Sequence, residues 1–371
     1  MPDLRVEMVT PSLHMGGMER LVVRMAQAFR ERGVDTGITV IEALGGLAEE
    51  ARDLGIPVTL VPTPGVWTNV RARALREHFR MRRPQVVHAH SGVWLKSVGA
   101  ARTARVPGVV HTFHGTVQNE RWHIDLMRRA ASWGTDHIVA VSDDLRMLLI
   151  ERVGIPAHRV RVIINGVDVH RFTPGDSRGN GPCPGKDPAS LVIGHVARLD
   201  PIKNQSMLLR AFELVRRQVP GARLVIAGEG PARGALERLA HELGVAGSVE
   251  FLGEVRDTAR LYRGFDVFAL SSVSEGTSMS ILEAMASGVP VVATAVGGTP
   301  ALVRHGELGV LVPEGDSEAM AEAIVRLALD PEHRRSLGAS ARAFTVANLS
   351  EDAMLDRYLQ LYRQHAHGAS R

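Results

Sequence analysis

Short runs of apolar, largely β-branched residues alternate with longer amphipathic stretches along nearly the whole chain. This alternation predicts strands joined by crossover helices, and therefore an α/β fold built on parallel sheets. Strands are predicted in the first half at 5–9, 36–41, 58–61, 86–89, 109–112, 137–141 and 160–163. Strands are predicted in the second half at 191–196, 223–227, 249–252, 267–270, 289–293 and 309–311.

One segment interrupts this pattern. Residues 174–190 are rich in Gly, Pro, Ser and Asp and have no apolar periodicity, which is typical of a linker. The length of 371 residues also suggests two domains. We therefore predict two doubly wound parallel-sheet domains, 1–175 and 191–349, joined by a linker at 176–190, with a helix at about 350–366 that packs back on the first domain. Since open parallel sheets bind ligands beyond the carboxyl ends of their strands, we expect a ligand site in a cleft between the two sheets.

Composition excludes several classes of protein. A single cysteine, Cys183, cannot form an internal disulfide or a thiolate metal site. The apolar runs fall short of the roughly 18 residues that a membrane span needs, and the amino terminus lacks the order of a signal peptide. We therefore predict a cytoplasmic protein, with peripheral contact at the inner membrane surface left open.

Positive charge is concentrated in the first half of the chain. Residues 1–175 contain 23 basic and 17 acidic side chains, although the whole chain has a net charge of only +4. The densest run extends from Arg71 to Arg83 on a predicted helix that ends at Pro84. Such a run indicates a solvated face, or a surface for anionic lipid or an acidic acceptor. Aromatic residues make up only 4% of the chain, so stacking on nucleic acid is not expected.

Two glycine-containing turns are candidate anion sites. Gly16 and Gly17 precede a helix predicted to begin near Met18, where backbone amides and the helix dipole favour an anion, although a tight strand-to-helix turn would need the same residues. In "AGEGPARGAL", the glycines that begin at Gly228 are spaced one residue too far apart for a dinucleotide fingerprint. The helix that follows can still meet a phosphate or a base.

Four charged residues in the second half are the strongest candidates for chemistry. Glu275 lies in a loop, and Glu283 lies eight residues later in a helix predicted to begin around Ser278, among residues typical of a core. A capping or paired carboxylate is the simpler interpretation. Arg198 and Lys203 follow the first strand of the second domain. In a chain with three lysines among 44 basic residues, a lysine at a strand end suggests a need for a compact ammonium group.

Histidines follow two predicted strands of the first domain. His88 and His90 belong to "VVHAHSG", and His111 and His114 belong to "VVHTFHGT". His114 lies where the chain leaves a strand, which makes it the best placed of the four to meet a ligand. No D-x-D motif and no helical H-x-x-x-H motif is present, so no metal site is predicted.

Taken in chain order, these motifs resemble the retaining glycosyltransferases of family 4, which have the GT-B fold of two facing Rossmann-like domains. The resemblance covers the Gly16-Gly17 turn, "HTFHG", "IINGVDVHRF" at 163–172, "ARLDPIKN", "LVIAGEGP", the pair Glu275 and Glu283, and "GGTPALV". The family often has proline where this chain has Ser278. We expect this difference to alter loop contacts with the donor sugar rather than the reaction.

The resemblance implies a nucleoside-diphosphate sugar donor bound mainly by residues 191–340, and a sugar-containing acceptor bound by the first domain. It implies that Arg198 and Lys203 neutralise the departing diphosphate, without a metal or other cofactor. It further implies that Glu275 holds a hydroxyl of the transferred sugar and that His114 lies beside the anomeric carbon. The donor-binding residues would be Gly16, Gly17, Gly228, Glu229, Gly276, Thr277 and Glu283. A nucleotide-sugar epimerase and a non-catalytic sugar-nucleotide-binding subunit remain alternatives.

Overall fold

The computed structural model describes residues 4–14, 16–63, 72–115, 122–175, 191–255 and 257–366. The chain divides into two compact units, and each is described by itself. Unit 1 contains Met1–Ile164 together with Met354–Arg371, and unit 2 contains Asn165–Ala353.

Unit 1 is built on a seven-stranded parallel sheet in the order β3-β2-β1-β4-β5-β6-β7. Its strands are β1 (Arg5–Ser12), β2 (Asp35–Ala43), β3 (Val58–Leu60), β4 (Val86–His90), β5 (Gly108–Phe113), β6 (His137–Ala140) and β7 (Val160–Val162). Its helices are α1 (Gly17–Glu31), α2 (Leu47–Asp53), α3 (Arg73–Arg82), α4 (Trp94–Thr103), α5 (Trp122–Trp133) and α6 (Asp143–Glu151). Because helices cover both faces, the central strands are buried on both sides, which explains their nearly continuous apolar sequence.

The last helix of the chain, α14 (Glu351–Ala366), packs on the unit 1 sheet. The Tyr362 hydroxyl lies 2.6 Å from Nδ1 of His88, and the Tyr358 hydroxyl lies 2.9 Å from Oγ1 of Thr112. The other ring nitrogen of His88 lies 2.7 Å from the same Thr112 oxygen. These bonds satisfy buried polar groups that would otherwise destabilise the core.

Unit 2 is built on a six-stranded parallel sheet in the order β10-β9-β8-β11-β12-β13. Its strands are β8 (Val192–Val196), β9 (Arg223–Ala227), β10 (Val249–Gly253), β11 (Val267–Leu270), β12 (Val291–Thr294) and β13 (Gly309–Val312). Its helices are α7 (Gln205–Gln218), α8 (Arg233–Glu242), α9 (Thr258–Tyr262), α10 (Met279–Ala286), α11 (Thr299–Val303), α12 (Ser317–Leu329) and α13 (Pro331–Asn348). The predicted α/β class with two doubly wound parallel sheets is confirmed.

The division between the units differs from the predicted one at residue 175. Residues 165–175 pack with unit 2, because Phe172 lies edge-on to Tyr262 at 5.8 Å between ring centroids. The backbone amide of Val167 also donates to the carbonyl oxygen of Leu349 at 3.0 Å. The predicted linker at 176–190 lies outside the described residues.

Candidate active site

Two neighbouring strands of unit 2 carry the main candidate residues at their carboxyl ends. β8 leads into the loop with Arg198 and Lys203, and β11 leads into the loop with Glu275. β8 pairs with β9 on one side and with β11 on the other, so the direction of the connections reverses between β8 and β11. This topological switch point is where open parallel sheets place their ligand crevice.

Lys203 and Glu275 meet at this point. The Lys203 ammonium donates to Oε1 of Glu275 at 2.6 Å, and the Ser272 hydroxyl donates to the same oxygen, also at 2.6 Å. The Lys203 side chain is 22% exposed and that of Glu275 is 8% exposed. The ion pair is therefore largely screened from water, where its two charges interact more strongly than on the surface.

The backbone around Lys203 is fixed by bonds to the β11 loop. The Ser271 hydroxyl donates to the Lys203 carbonyl at 2.9 Å, and the Val273 amide donates to the Ile202 carbonyl at 2.9 Å. The Asp200 carboxylate accepts the Ile202 amide at 3.2 Å and starts the short helical turn Pro201–Lys203. These contacts fix the main chain from which the Lys203 side chain extends, and the ammonium itself is held by Glu275.

A buried chain of hydrogen bonds connects the Arg198 backbone to strand β11. Nδ1 of His195 lies 2.9 Å from the Ala269 carbonyl, which can only accept, so Nδ1 carries the proton. Nε2 of His195 therefore accepts from the Gln205 amide at 3.3 Å, and the same amide nitrogen donates to the Arg198 carbonyl at 2.9 Å. Burial lowers the pKa of His195 to about 4, so the ring stays neutral and keeps this arrangement near neutral pH.

The Arg198 side chain has a different environment from Lys203. It is 66% exposed, and its guanidinium lies 3.0 Å from Asp200. The exposed guanidinium is therefore less constrained than the ammonium of Lys203.

The turn after β9 has a packing role that its motif did not reveal. A Cβ on Gly228 would lie 2.0 Å from the Ala197 carbonyl oxygen, and one on Gly230 would lie 2.2 Å from that of Leu199. Both glycines are therefore needed for the turn to lie against the Arg198 loop. The Glu229 carboxylate forms an ion pair with Arg233.

Glu283 lies on α10, which Ser278 precedes. Burial, and then the negative charge of Glu283, raise the pKa of the Tyr262 hydroxyl well above its usual value. The Tyr262 hydroxyl and the Glu283 carboxylate are therefore close enough to interact electrostatically. Gly276 and Thr277 lie in the loop between Glu275 and α10 and are half-buried.

Gly297 positions the backbone of Glu275. It has a φ of +49°, and a Cβ there would lie 1.9 Å from the Glu275 carbonyl oxygen. The next amide, that of Gly298, donates to this oxygen at 3.1 Å. The contacts of Gly297 and Gly298 with Glu275 explain the paired glycines of "GGTPALV".

The other candidate residues lie at the carboxyl edge of the unit 1 sheet. α1 begins at Gly17 after an extended Gly16, and a Cβ on Gly17 would meet no atom within 4 Å. β1, β4 and β5 are neighbours, so their carboxyl ends lie side by side. There Nδ1 of His90 and Nε2 of His114 share a hydrogen bond of 3.0 Å.

Burial keeps four histidines at this edge of the unit 1 sheet neutral, namely His88, His90, His111 and His114. It lowers the pKa of His88 to about 3 and that of His114 to about 4, and it lowers those of His90 and His111 strongly. His111 stacks on Trp94 with 4.0 Å between ring centroids and 7° between the planes. Within the described ranges, no three His, Cys, Asp or Glu side chains are grouped so that they could hold a metal ion.

Acid is expected to destabilise the protein below pH 6.5, because buried histidines resist protonation. The unfolded chain takes up protons at His88 and His195 as the pH falls below 6.5, whereas the folded chain does so only near pH 3 and 4. Each position then lowers the free energy of unfolding by up to about 1.4 kcal/mol per pH unit, and neither contributes a pH dependence above 6.5. Urea unfolding at neutral pH and at about pH 5 measures this slope. His88→Gln should reduce the change in the free energy of unfolding between the two pH values, whereas His333→Gln, at an exposed position, should leave that change as it is. Equal stability of the parent at the two pH values would contradict the prediction.

Family models match both units. Residues 15–171 match the model described as Glycosyltransferase Family 4, and residues 190–330 match the model described as Glycosyl transferases group 1. The D-inositol 3-phosphate glycosyltransferase of Saccharomonospora viridis is 35% identical over 237 residues, which are 60% of this chain and 55% of the relative. The chain therefore spans about half the length of the curated relatives that it matches.

Solved structures show the same fold over nearly the whole chain. A glycosyltransferase from Rickettsia africae superposes with a TM-score of 0.84 at 21% identity and covers 99% of both chains. HepE from Anabaena, solved in complex with UDP, superposes with a TM-score of 0.85 at 21% identity and covers 97% of this chain and 100% of that one. These likenesses establish the GT-B fold. Since the two family models together match most of the chain, the protein belongs to the family 4 glycosyltransferases.

Proposed function

We propose that this protein is a retaining glycosyltransferase that transfers a hexose-type sugar from a nucleoside-diphosphate sugar to a glycan, lipid-linked or small-molecule acceptor. The observation that carries the proposal is the contact of Lys203 with Glu275 at the switch point of the unit 2 sheet. A cation beside a carboxylate at this edge suits a substrate with an anionic diphosphate next to a polyhydroxylated sugar.

Lys203 is suited to stabilise the leaving group. When the bond between the anomeric carbon and the diphosphate oxygen breaks, that oxygen gains negative charge, and a preorganised ammonium stabilises it most in the transition state. The bonds of the β11 loop to the main chain of Ile202 and Lys203 fix the point from which the ammonium would reach this oxygen. Because the ammonium itself is the counter-charge, the proposal needs no metal.

Glu275 changes partners when the donor binds. In the free protein its Oε1 accepts from Lys203 and from Ser272. As the diphosphate attracts Lys203, the carboxylate can accept a hydroxyl of the transferred sugar while Ser272 keeps it oriented. We assign Arg198 to the outer side of the diphosphate, because its exposed guanidinium can leave Asp200 at little cost.

The remaining assignments follow the resemblance to the family and the positions of the residues. Glu283 would accept the ribose hydroxyls, and the Gly228–Glu229 turn and the Gly276–Thr277 amides would line the donor. In unit 1, the turn of Gly16 and Gly17 would present backbone amides at the amino terminus of α1 to an anionic group of the ligand. His114, neutral at physiological pH, would bind sugar hydroxyls near the anomeric carbon as a hydrogen-bonding group rather than as a cation.

Similar proteins support the substrate class. HepE has been solved with UDP and with UDP-glucose, and the curated relatives are named for transfer to D-inositol 3-phosphate. A nucleoside-diphosphate hexose and a small hydroxylated acceptor are therefore the first pair to test.

A panel of UDP-, GDP- and ADP-hexoses tests the proposal, with and without inositol phosphates, oligosaccharides and lipid-linked sugars as acceptors. We expect nucleoside diphosphate to be released with at least one donor, to increase with the right acceptor, and to persist in EDTA. The product should keep the anomeric configuration of the donor, which NMR reads directly. Conversion of the sugar on its nucleotide would indicate an epimerase instead, and donor binding without turnover would indicate a binding subunit; either result would overturn the proposal.

A further inference from the structure

Helix α5 of unit 1 exposes large apolar side chains to solvent. Trp122 and Trp133 are each 77% exposed, and Leu126 is 59% exposed, whereas Trp94 of the neighbouring α4 is buried. Tryptophan is usually well buried in a folded domain. Two exposed indoles on one helix therefore indicate an interaction surface.

These side chains form one stripe. Trp122, Leu126, Arg129 and Trp133 follow one another at steps of four, three and four residues, so they line one face of the helix. Ala131 and Ser132 face the core on the other side. The stripe extends about 16 Å from one tryptophan to the other. This apolar outer face of the helix is exposed and does not pack in the core of unit 1.

The stripe belongs to a strongly basic layer of helices. α3, α4 and α5 pack side by side over one face of the unit 1 sheet and share one core. Residues 72–106 and 122–133 contain ten arginine and lysine residues against two acidic ones. Both acidic residues are in ion pairs, Glu77 with two arginines of α3 and Asp125 with Arg128 and Arg152.

The outer face of α3 continues this pattern. Arg73, Arg80 and Arg83 are exposed, and Met81 between them is 76% exposed. Arg82 turns inward and forms ion pairs with Glu7 and Asp35, so only part of the basic run predicted from Arg71 to Arg83 faces solvent, and Arg71 lies outside the described residues.

We propose that the outer face of α3, α4 and α5 docks unit 1 on an anionic lipid bilayer, with Trp122, Leu126 and Trp133 entering the headgroup region. Indole rings favour this region because they are apolar with one polar N–H. The arginines of the layer attract acidic headgroups, which matches the charge of the layer. A second copy of the chain fits less well, because a two-fold contact would bring two such basic layers together.

Among the described residues no helix combines the length and the apolarity needed to cross a bilayer. The inference therefore concerns docking at the surface. It does not depend on the proposed function, since it rests on the exposure and charge of unit 1 alone.

Vesicle co-sedimentation tests the proposal with the chain of residues 1–371. We expect binding to vesicles of phosphatidylcholine mixed with phosphatidylglycerol, little binding to phosphatidylcholine alone, and release in about 0.5 M salt. Trp122→Ser with Trp133→Ser should weaken the binding at least tenfold. Arg73→Ser with Arg80→Ser should weaken it and reduce its salt dependence.

Matched controls come from unit 2. Leu329 on α12 is 72% exposed, so Leu329→Ser removes an exposed apolar group elsewhere, and Arg210→Ser with Arg335→Ser removes exposed charge elsewhere. We expect the controls to bind vesicles like the parent, and all variants to melt at the temperature of the parent. Unchanged binding by the tryptophan variant would overturn the proposal. A dimer in analytical ultracentrifugation that the tryptophan variant abolishes, without vesicle binding by the parent, would assign the surface to a second copy instead.

Discussion

Replacing Lys203 with alanine is expected to lower kcat by about 100-fold or more, which is the effect of removing one preorganised group that stabilises charge in a transition state. The loss should appear mainly in kcat, because the negative charge on the leaving diphosphate grows as the bond breaks. Arg198→Ala is expected to lower turnover to a similar extent if its guanidinium joins the diphosphate. Steady-state rates with the donor identified by the panel measure both effects.

Two controls separate chemistry from folding. Removing Lys203 leaves Glu275, which is 8% exposed, without its cation, and an unpaired carboxylate there can destabilise unit 2. Lys203→Ala combined with Glu275→Gln removes that charge, so it should restore the melting temperature. Because Glu275 is itself a site residue, only the stability of this double variant is compared, and the turnover of Lys203→Ala is measured well below its own melting temperature. Arg210→Ala removes an exposed arginine farther along α7 and should leave kcat unchanged. Rates of Lys203→Ala and Arg198→Ala within threefold of the parent would refute the phosphate role.

Gly297→Ala is expected to lower turnover at least tenfold, because it forces the Glu275 loop to move. The new Cβ would lie 1.9 Å from the Glu275 carbonyl oxygen, a contact that the backbone must relieve by shifting. The φ of +49° adds roughly 1–2 kcal/mol of strain for a residue with a side chain. Both effects act on the segment that places the Glu275 carboxylate beside Lys203.

Gly315→Ala is the matched control for this substitution. Gly315 also has a positive φ, of +77°, but a Cβ there would meet no atom within 4 Å. It should therefore lose stability through strain alone and keep its turnover. Equal turnover in the two variants would show that the position of the Glu275 loop does not matter for the reaction.

Much of the architecture could be predicted because parallel strands buried on both faces need continuous apolar sequence. β9 and β11 were predicted with their observed bounds, Arg223–Ala227 and Val267–Leu270. The predicted strand at 289–293 instead begins at Val291, because Pro290 has no amide to donate to the sheet. The boundary between the two units at Ile164 could not be predicted from the sequence, because it depends on the ring contact of Phe172 with Tyr262, which lies about 90 residues farther along the chain.

The sequence likewise predicted only part of the candidate site. Strand ends and charge identified Lys203 and Glu275, but no local pattern distinguishes Ser272 from the other serines of "SSVSEGTS". The roles of Gly297 and of the His195–Gln205 chain depend on distances between loops that are far apart in sequence. Gly228 was predicted to line the donor, and the structure adds a packing constraint against Ala197 that the motif alone did not show.

The structure of a complex with the matching nucleoside diphosphate would show whether Lys203 binds the leaving diphosphate. A β-phosphate oxygen within hydrogen-bond distance of the Lys203 ammonium, with Glu275 released from that ammonium and still bound by Ser272, is the predicted result. A nucleotide bound elsewhere in unit 2, with the contact between Lys203 and Glu275 intact, would contradict it.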